Sequence, residues 1–484
     1  MIAKQLHTRF LWPFSIRRDG YDHVEAALGS SWRREEPPHL YRDDLLEQAQ
    51  AFLCKDIVYL RLTNADRLFP HMLRAQLSKG VSVPVKMPDE AGIEIFVTRE
   101  GIGVLSILLS LTNVTTDVMV DFNYRMARKI GAVPAKLHVA HPAEDAERWK
   151  RIPEEDRARI RDAPPADAPP GKRIGVPGGT YTLGEVIAHV TAPLERFDLR
   201  RLQSPLSVYT VAAFGNTVSF DKDECLWWGG PLLSALAQIE EPNHAGAKAG
   251  SVHVPNAVMN RCHWAGVGVL GAAHLAADQP APEGVEEHPF NAERILRIRD
   301  KYFVPYLLGL IQRHVLNRMA KDAVDLVQSR NVEALRALRM SLLEFGVGGR
   351  FSQISTRHAL HRYYRLVQEG LDVRDAWSDV RTALSDIDAS NIAMDVANNV
   401  GAMARLQHAA HTLEYAIISV YAAKLWHMFA AENEPLAHEF EKLIHPLLPA
   451  GRELPHHWFV SWGVLLFAAL GWLAVYLYNR PKKH

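Results

Sequence analysis

The chain has 484 residues, 55 basic against 55 acidic side chains and no formal net charge. That length allows two or three domains with sizeable cores, and the balanced charge excludes a surface dominated by one field, as nucleic-acid binding favours. The cysteines Cys54, Cys225 and Cys262 are odd in number and lack paired spacing, which excludes a disulfide framework and fits a reducing compartment.

The N-terminal stretch MIAKQLHTRFLWPFSIRRDG lacks the long apolar run and small-residue cleavage site of a secretory signal. The bulk of the chain is therefore expected in the cytosol. Residues 1–290 read as an α/β domain. Apolar runs rich in β-branched residues recur at Ile57–Leu62, Ile93–Thr98, Ile102–Leu111, Val118–Phe122 and Val208–Phe214, and each predicts a strand. Arg99-Glu100-Gly101 supplies a turn between two of them. Residues 141–174 are charged and proline-rich, as in an exposed insertion. Thr182 and Glu185 form a capping-box pattern that starts a helix through Val190.

From Asn291 the pattern changes to long helices, and 291–412 reads as a helical stalk. The apolar run Tyr302–Ile311 contains Pro305. It is too short to span a bilayer and predicts a buried, kinked helix. Helices are expected at 332–345 and 354–370, separated by Gly346, Gly348 and Gly349. A continuous helix then runs from Val373 to about Ala430. Its first half carries a heptad seam, with two asparagines among apolar residues, at alternating spacings of four and three: Val373, Trp377, Val380, Leu384, Ile387, Asn391, Met394 and Asn398. Trp377, Leu384, Asn391 and Asn398 mark this seam. It serves either self-association, with the asparagines setting register, or packing within the chain.

The segment Trp458–Tyr478 has 21 residues and no charge, with Arg480, Lys482 and Lys483 just beyond. At ~1.5 Å per residue it matches a bilayer's hydrocarbon thickness, and aromatic rings lie near both its ends. A transmembrane helix is expected at 458–478, against the alternative of a buried core helix. Residues 479–484 would then form a basic cytosolic tail. A single span would place that tail outside, against the positive-inside rule. Residues 413–431 are therefore the candidate first transmembrane helix, and 432–457, with five glutamates against Lys442 and Arg452, the acidic outer loop. Lys424 would cost ~3 kcal/mol facing lipid at the bilayer centre, so it must face a pore or another helix. The competing topology is a one-span tail anchor.

An α/β domain, a long helix entering the membrane, a short outer loop, a second span and a basic C-terminus resemble the CorA-like metal-ion transporters. Gly101–Leu111, Tyr302–Leu316 and Phe351–Gly370 are also similar to bacterial CorA-like proteins. The resemblance covers about residue 50 to the end and places that family's Gly-Met-Asn pore motif on Ala431-Glu432-Asn433, where only the asparagine is kept. It implies a homo-oligomer, specifically a pentamer, in a bacterial-type inner (plasma) membrane, with Mg²⁺ or another divalent cation as transported substrate and no organic cofactor. The pore and ion-binding residues it implies are Glu432, Asn433, Glu434, Lys424 and Glu414. A ring of Lys424 side chains would repel divalent ions. The rival expectation is therefore a non-conducting, membrane-anchored sensor or effector whose cytosolic domain binds a partner or signal.

Other motifs point elsewhere only weakly. Gly266-Val267-Gly268-Val269-Leu270-Gly271 matches the dinucleotide pattern GxGxxG, but without a clean strand before it or an acidic residue about 20 positions on. Close backbone packing is the simpler role. Cys262-His263 and His456-His457 lack second pairs at zinc spacing. Asp221, Asp223 and Glu224 read as a solvated acidic loop, and His358 and His361 as one helix face. No nucleophilic constellation is evident, so no enzyme and no nucleic-acid partner are expected.

Overall fold

The computed structural model describes the chain apart from residues 38–41, 63–72, 78–79, 89–91, 129–134, 140–178, 204, 216–219, 221–222, 240–253, 280–290, 330, 433–438, 440–441, 443–468, 470–471 and 473–484. It divides into two compact units, Met1–Leu384 and Ser385–His484.

The first unit is built on a ten-stranded sheet. In chain order the strands of the two sheets are β1 (Ile2–Ser15), β2 (Trp32–Arg34), β3 (Ile57–Leu62), β4 (Leu73–Gln76), β5 (Ser82–Val85), β6 (Ile93–Thr98), β7 (Ile102–Thr115), β8 (Lys136–Val139), β9 (Thr180–Thr182), β10 (Arg200–Arg201), β11 (Ser207–Phe214), β12 (Asn256–Asn260), β13 (His263–Gly268) and β14 (Gly271–Ala277). The large sheet has the order β12-β13-β14-β11-β1-β7-β6-β3-β2, with β10 added at the end of β1. All its pairs are antiparallel except β11 with β14. A smaller antiparallel sheet has the order β5-β4-β8-β9.

The described helices are α1 (Val24–Leu28), α2 (Glu47–Ala51), α3 (Thr116–Ala127), α4 (Leu183–Thr191), α5 (Asp223–Gln238), α6 (Asn291–Lys301), α7 (Phe303–Gln328), α8 (Val332–Gly348), α9 (His358–Gly370) and α10 (Val373–Glu432). The expected strand at Val118–Phe122 is instead part of α3. Its buried Met119, Phe122, Asn123 and Met126 recur at spacings of three, one and three, which is helical rather than alternating. The capping box starts α4: the Thr182 amide donates to Glu185 Oε2 at 2.8 Å, and the Glu185 amide to Thr182 Oγ1 at 3.2 Å. Pro305 does not kink a helix. The break falls at Tyr302, and Pro305 is the third residue of α7, where an amide has no acceptor within the helix.

The two faces of the sheet differ in chemistry, and the strand register fixes which residues share a face. Leu6, Phe10, Ile95, Ile107, Val208 and Leu275 belong to one continuous apolar core. Phe122 of α3 and Trp228 of α5 pack there against Phe10 and Phe214. The opposite face is covered by α6, α7 and α9, and there Phe303, Tyr306 and Tyr363 are fully buried. Residues 291–384 thus belong to the same compact unit as the sheet.

One expectation is overturned. Among the described residues no helix is long and apolar enough to cross a membrane. The helix α10 has ample length, but residues 413–431 carry Glu414, Lys424 and His427, and each charge costs several kcal/mol in hydrocarbon. The fold class is corrected accordingly: an α/β sheet domain with added helices, and no C-terminal transmembrane helix among the described residues. The reading as a membrane protein of the inner membrane loses the span at 413–431 on which its two-span topology rested. The segment 458–478 lies outside the described residues except for Ala469 and Trp472, as does most of the 432–457 loop and all of the 479–484 tail.

Candidate functional site

Under α6, α7 and α9 the sheet carries a polar belt. Residues paired across strands point to the same side, so the registers Arg9↔Tyr209, His7↔Ser110, Leu11↔Ser106, Ser106↔Glu94, Phe96↔Tyr59, Val211↔His274 and Ala276↔His263 put these side chains on one face. Across β13, β14, β11, β1, β7, β6 and β3 the belt reads His263, His274, Tyr209, His7 and Arg9, Ser106 and Ser110, Glu94, Tyr59.

Arg9 is its centre and is completely buried. Its Nη1 donates to Glu94 Oε2 at 2.5 Å and to Ser106 Oγ at 3.3 Å, and its Nη2 to Asp300 Oδ1 at 3.0 Å. The guanidinium lies 4.3 Å from the centre of the Phe303 ring. Tyr59 Oη donates to Glu94 Oε1 at 2.6 Å. Arg299 donates to Asp300 through Nε at 3.0 Å and Nη2 at 2.7 Å. Burial pushes the Asp300 carboxyl up, but the bonds and charges of Arg299 and Arg9 outweigh it and hold the group below its usual range. A second hub forms one residue on: Asp44 accepts from Lys301 and pairs with Arg357, both at 2.6 Å. These bonds tie α6 to β1, β6 and the segment before α2. Buried ion pairs of this kind add little net stability but fix one arrangement of the elements they join.

The histidines of the belt are neutral. Burial, then the Arg299 charge, pulls His7 down to about 4, and its Nδ1 lies 2.7 Å from Ser110 Oγ. Burial, then the Arg294 charge, pulls His263 down to about 3. His274 falls well below the usual value through burial and its neighbour His263. His263 Nε2 and His274 Nδ1 are 2.9 Å apart. The rings of Tyr302 and Tyr363 close over the pair, with the Tyr363 and His274 centroids 4.7 Å apart.

Of the sequence-expected pore residues, the structure describes the side chains of Lys424 and Glu414. Lys424 and Glu414 are exposed on α10, and Glu414 faces His411 at 3.5 Å. Glu432 is the last residue of α10; Asn433 and Glu434 lie outside the described residues. Of the seam residues, Leu384 is buried within the chain, together with Val373 and Val380. Trp377 is half-buried against Phe345 and under the Arg350 guanidinium. Asn391 and Asn398 are in α10, with side chains outside the described residues.

Among the described residues no cluster of three or more His, Cys, Asp or Glu is placed to hold a metal ion. The GxGxxG stretch forms the β13–β14 hairpin. A Cβ at Gly266 would meet Leu233 at 2.8 Å and one at Gly271 would meet Val208 at 2.5 Å, so these glycines admit close packing rather than a pyrophosphate. His358 is exposed and His361 half-buried on α9. Asp221, the side chains of Asp223 and Glu224, and His456-His457 lie outside the described residues.

Sequence reasoning singled out His263 only as a neighbour of Cys262, and missed Arg9, Glu94, His274, Arg294 and Asp300. Single charges inside apolar runs, as in RFLWPF and IEIFVT, were the available signal. The chain matches no protein-family model, no curated protein and no solved structure.

Proposed function

We propose that this chain is a self-associating effector without catalytic activity: the sheet unit receives a signal or partner, and α10 joins copies of the chain. Divalent-cation transport would need a pore-lining span at 413–431, and no described helix is long and apolar enough to cross a membrane.

One observation carries the reading. The second half of α10 presents large apolar side chains to solvent, from 73 % exposed at Met403 to 49 % at Ile417. Met403, Leu406, Ala410, Leu413, Ile417, Val420 and Lys424 follow spacings of three, four, three, four, three and four. This seam is distinct from the one at 373–398, whose described residues are largely buried within the chain. A heptad stripe fits another stripe of the same period, and the nearest such partner is a second copy. Lys424 on the seam acts on register and oligomer number at a cost in affinity.

The test is the mass of the full chain in solution by light scattering and sedimentation. A homo-oligomer is expected for the native protein, a monomer for the Leu413→Glu/Ile417→Glu variant, and a tighter assembly for Lys424→Leu. A monomeric native protein at concentrations well above cellular ones would refute the reading.

A further inference from the structure

Arg294 stands in the first turn of α6 and turns its guanidinium inward. Its Nη2 donates to the Ala277 carbonyl at the end of β14. Its Nε and Nη1, which carry three of the five N–H donors, are buried without a hydrogen-bond partner. No carboxylate among the described residues pairs with it. Arg9, by contrast, meets Glu94 and Asp300. A buried guanidinium without a counter-charge costs several kcal/mol.

Two more unmet polar groups lie at this end of the belt. His274 Nε2 and Tyr363 Oη are both buried without a partner. When His263 donates to His274 Nδ1, the neutral His274 ring carries its proton on Nε2 and offers one more donor. The Arg294 charge acts on His263 directly. The β13–β14 hairpin, α6 and α9 therefore bring a cation and further donors to one end of the sheet, with no carboxylate among the described residues paired to the cation. Water satisfies donors but leaves the charge uncompensated. A group with several acceptor oxygens and a negative charge satisfies both.

We propose that Arg294, with His263 and His274 beside it, is a binding site for a small oxyanion, a carboxylate or phosphoryl group. This gives the signal-receiving half of the proposed function a ligand class, and it rests on that reading only for its meaning in the cell. The two are separable by experiment, because one is read as mass and the other as ligand-dependent unfolding.

The experiment follows thermal unfolding and calorimetric binding of the full chain with inorganic phosphate, with acetate, and with chloride at matched ionic strength. Expected is a saturable rise in Tm of a few degrees with phosphate or acetate, but not with chloride. A response to phosphate alone assigns a phosphoryl ligand, and one to acetate alone a carboxylate. Arg294→Gln should abolish the response and Arg294→Lys weaken it. Arg294→Met, which removes the uncompensated charge, should unfold no lower than the native protein without ligand. A folded native protein with no response to either oxyanion, or an Arg294→Gln variant that keeps the full response, would overturn the site.

Discussion

Glu94 accepts from Arg9 and Tyr59 while fully buried, so its removal leaves a guanidinium with half its counter-charge. Glu94→Leu is expected to cost ~3–5 kcal/mol in urea unfolding. Adding Arg9→Met should recover most of that loss, because Asp300 keeps its two bonds to Arg299. A double variant as unstable as the sum of the singles would show that Glu94 and Arg9 act independently, and would refute the orphaned-charge account. Such residues are hard to recognise from sequence. Asp300 lies 291 positions from Arg9, and nothing local in KYFVP or RIRDK announces that the two meet. Glu94 lies within the correctly read run Ile93–Thr98, yet a lone acid in a strand is ordinarily solvent-facing. Only the second helical layer makes it a core residue.

At the scale of elements, the contact between α9 and the β13–β14 hairpin is unusually close. Gly370 ends α9, and a Cβ there would come within 2.5 Å of the Val267 carbonyl oxygen. Gly370→Ala must lift the helix end off the hairpin. A loss of ~1–3 kcal/mol is expected from overpacking, measured as a lower denaturation midpoint. Gly101 answers to a different demand. It holds the β6–β7 turn at φ +75° with the Ile16 carbonyl 2.5 Å from any added Cβ, and the sequence announced it as a turn. The strands Ile57–Leu62 and Ile93–Thr98 coincide with the apolar runs that predicted them, because a sheet covered by helices on both faces buries nearly every residue of its strands. β1 escaped recognition. Its His7, Arg9 and Pro13 break the apolar pattern, and its stability comes from pairing with β7 and β11 far along the chain.

For the whole molecule, buried neutral histidines set the acid limit. His7 is held at about 4, His263 and His314 at about 3, and His274 well below the usual value, in each case chiefly by burial. The unfolded chain binds protons on these rings as pH falls below about 6.5, while the folded chain does not. Their contribution is therefore complete above pH ~6.5 and is lost as pH falls toward the folded values. One pH unit below 6.5 each ring forfeits ~1.4 kcal/mol, and four together ~6 kcal/mol, comparable to a whole domain's stability. Calorimetry should give a flat Tm above pH ~7 and a steep fall between pH ~6.5 and ~5. A Tm unchanged across that interval would mean that these rings are solvated in the folded state.

The central position of β1 also bears on how the protein comes off the ribosome. β1 is translated first, yet one neighbour ends at Phe214 and its ionic partner Asp300 follows almost three hundred codons later. At ~5–20 residues per second, Arg9 waits ~15–60 s for Asp300. Throughout that interval the belt has no helical lid. A nascent chain arrested before α6 should therefore hold an open, half-charged sheet face that attracts chaperones, and release from them should coincide with emergence of α6 and α7 rather than with completion of the strands.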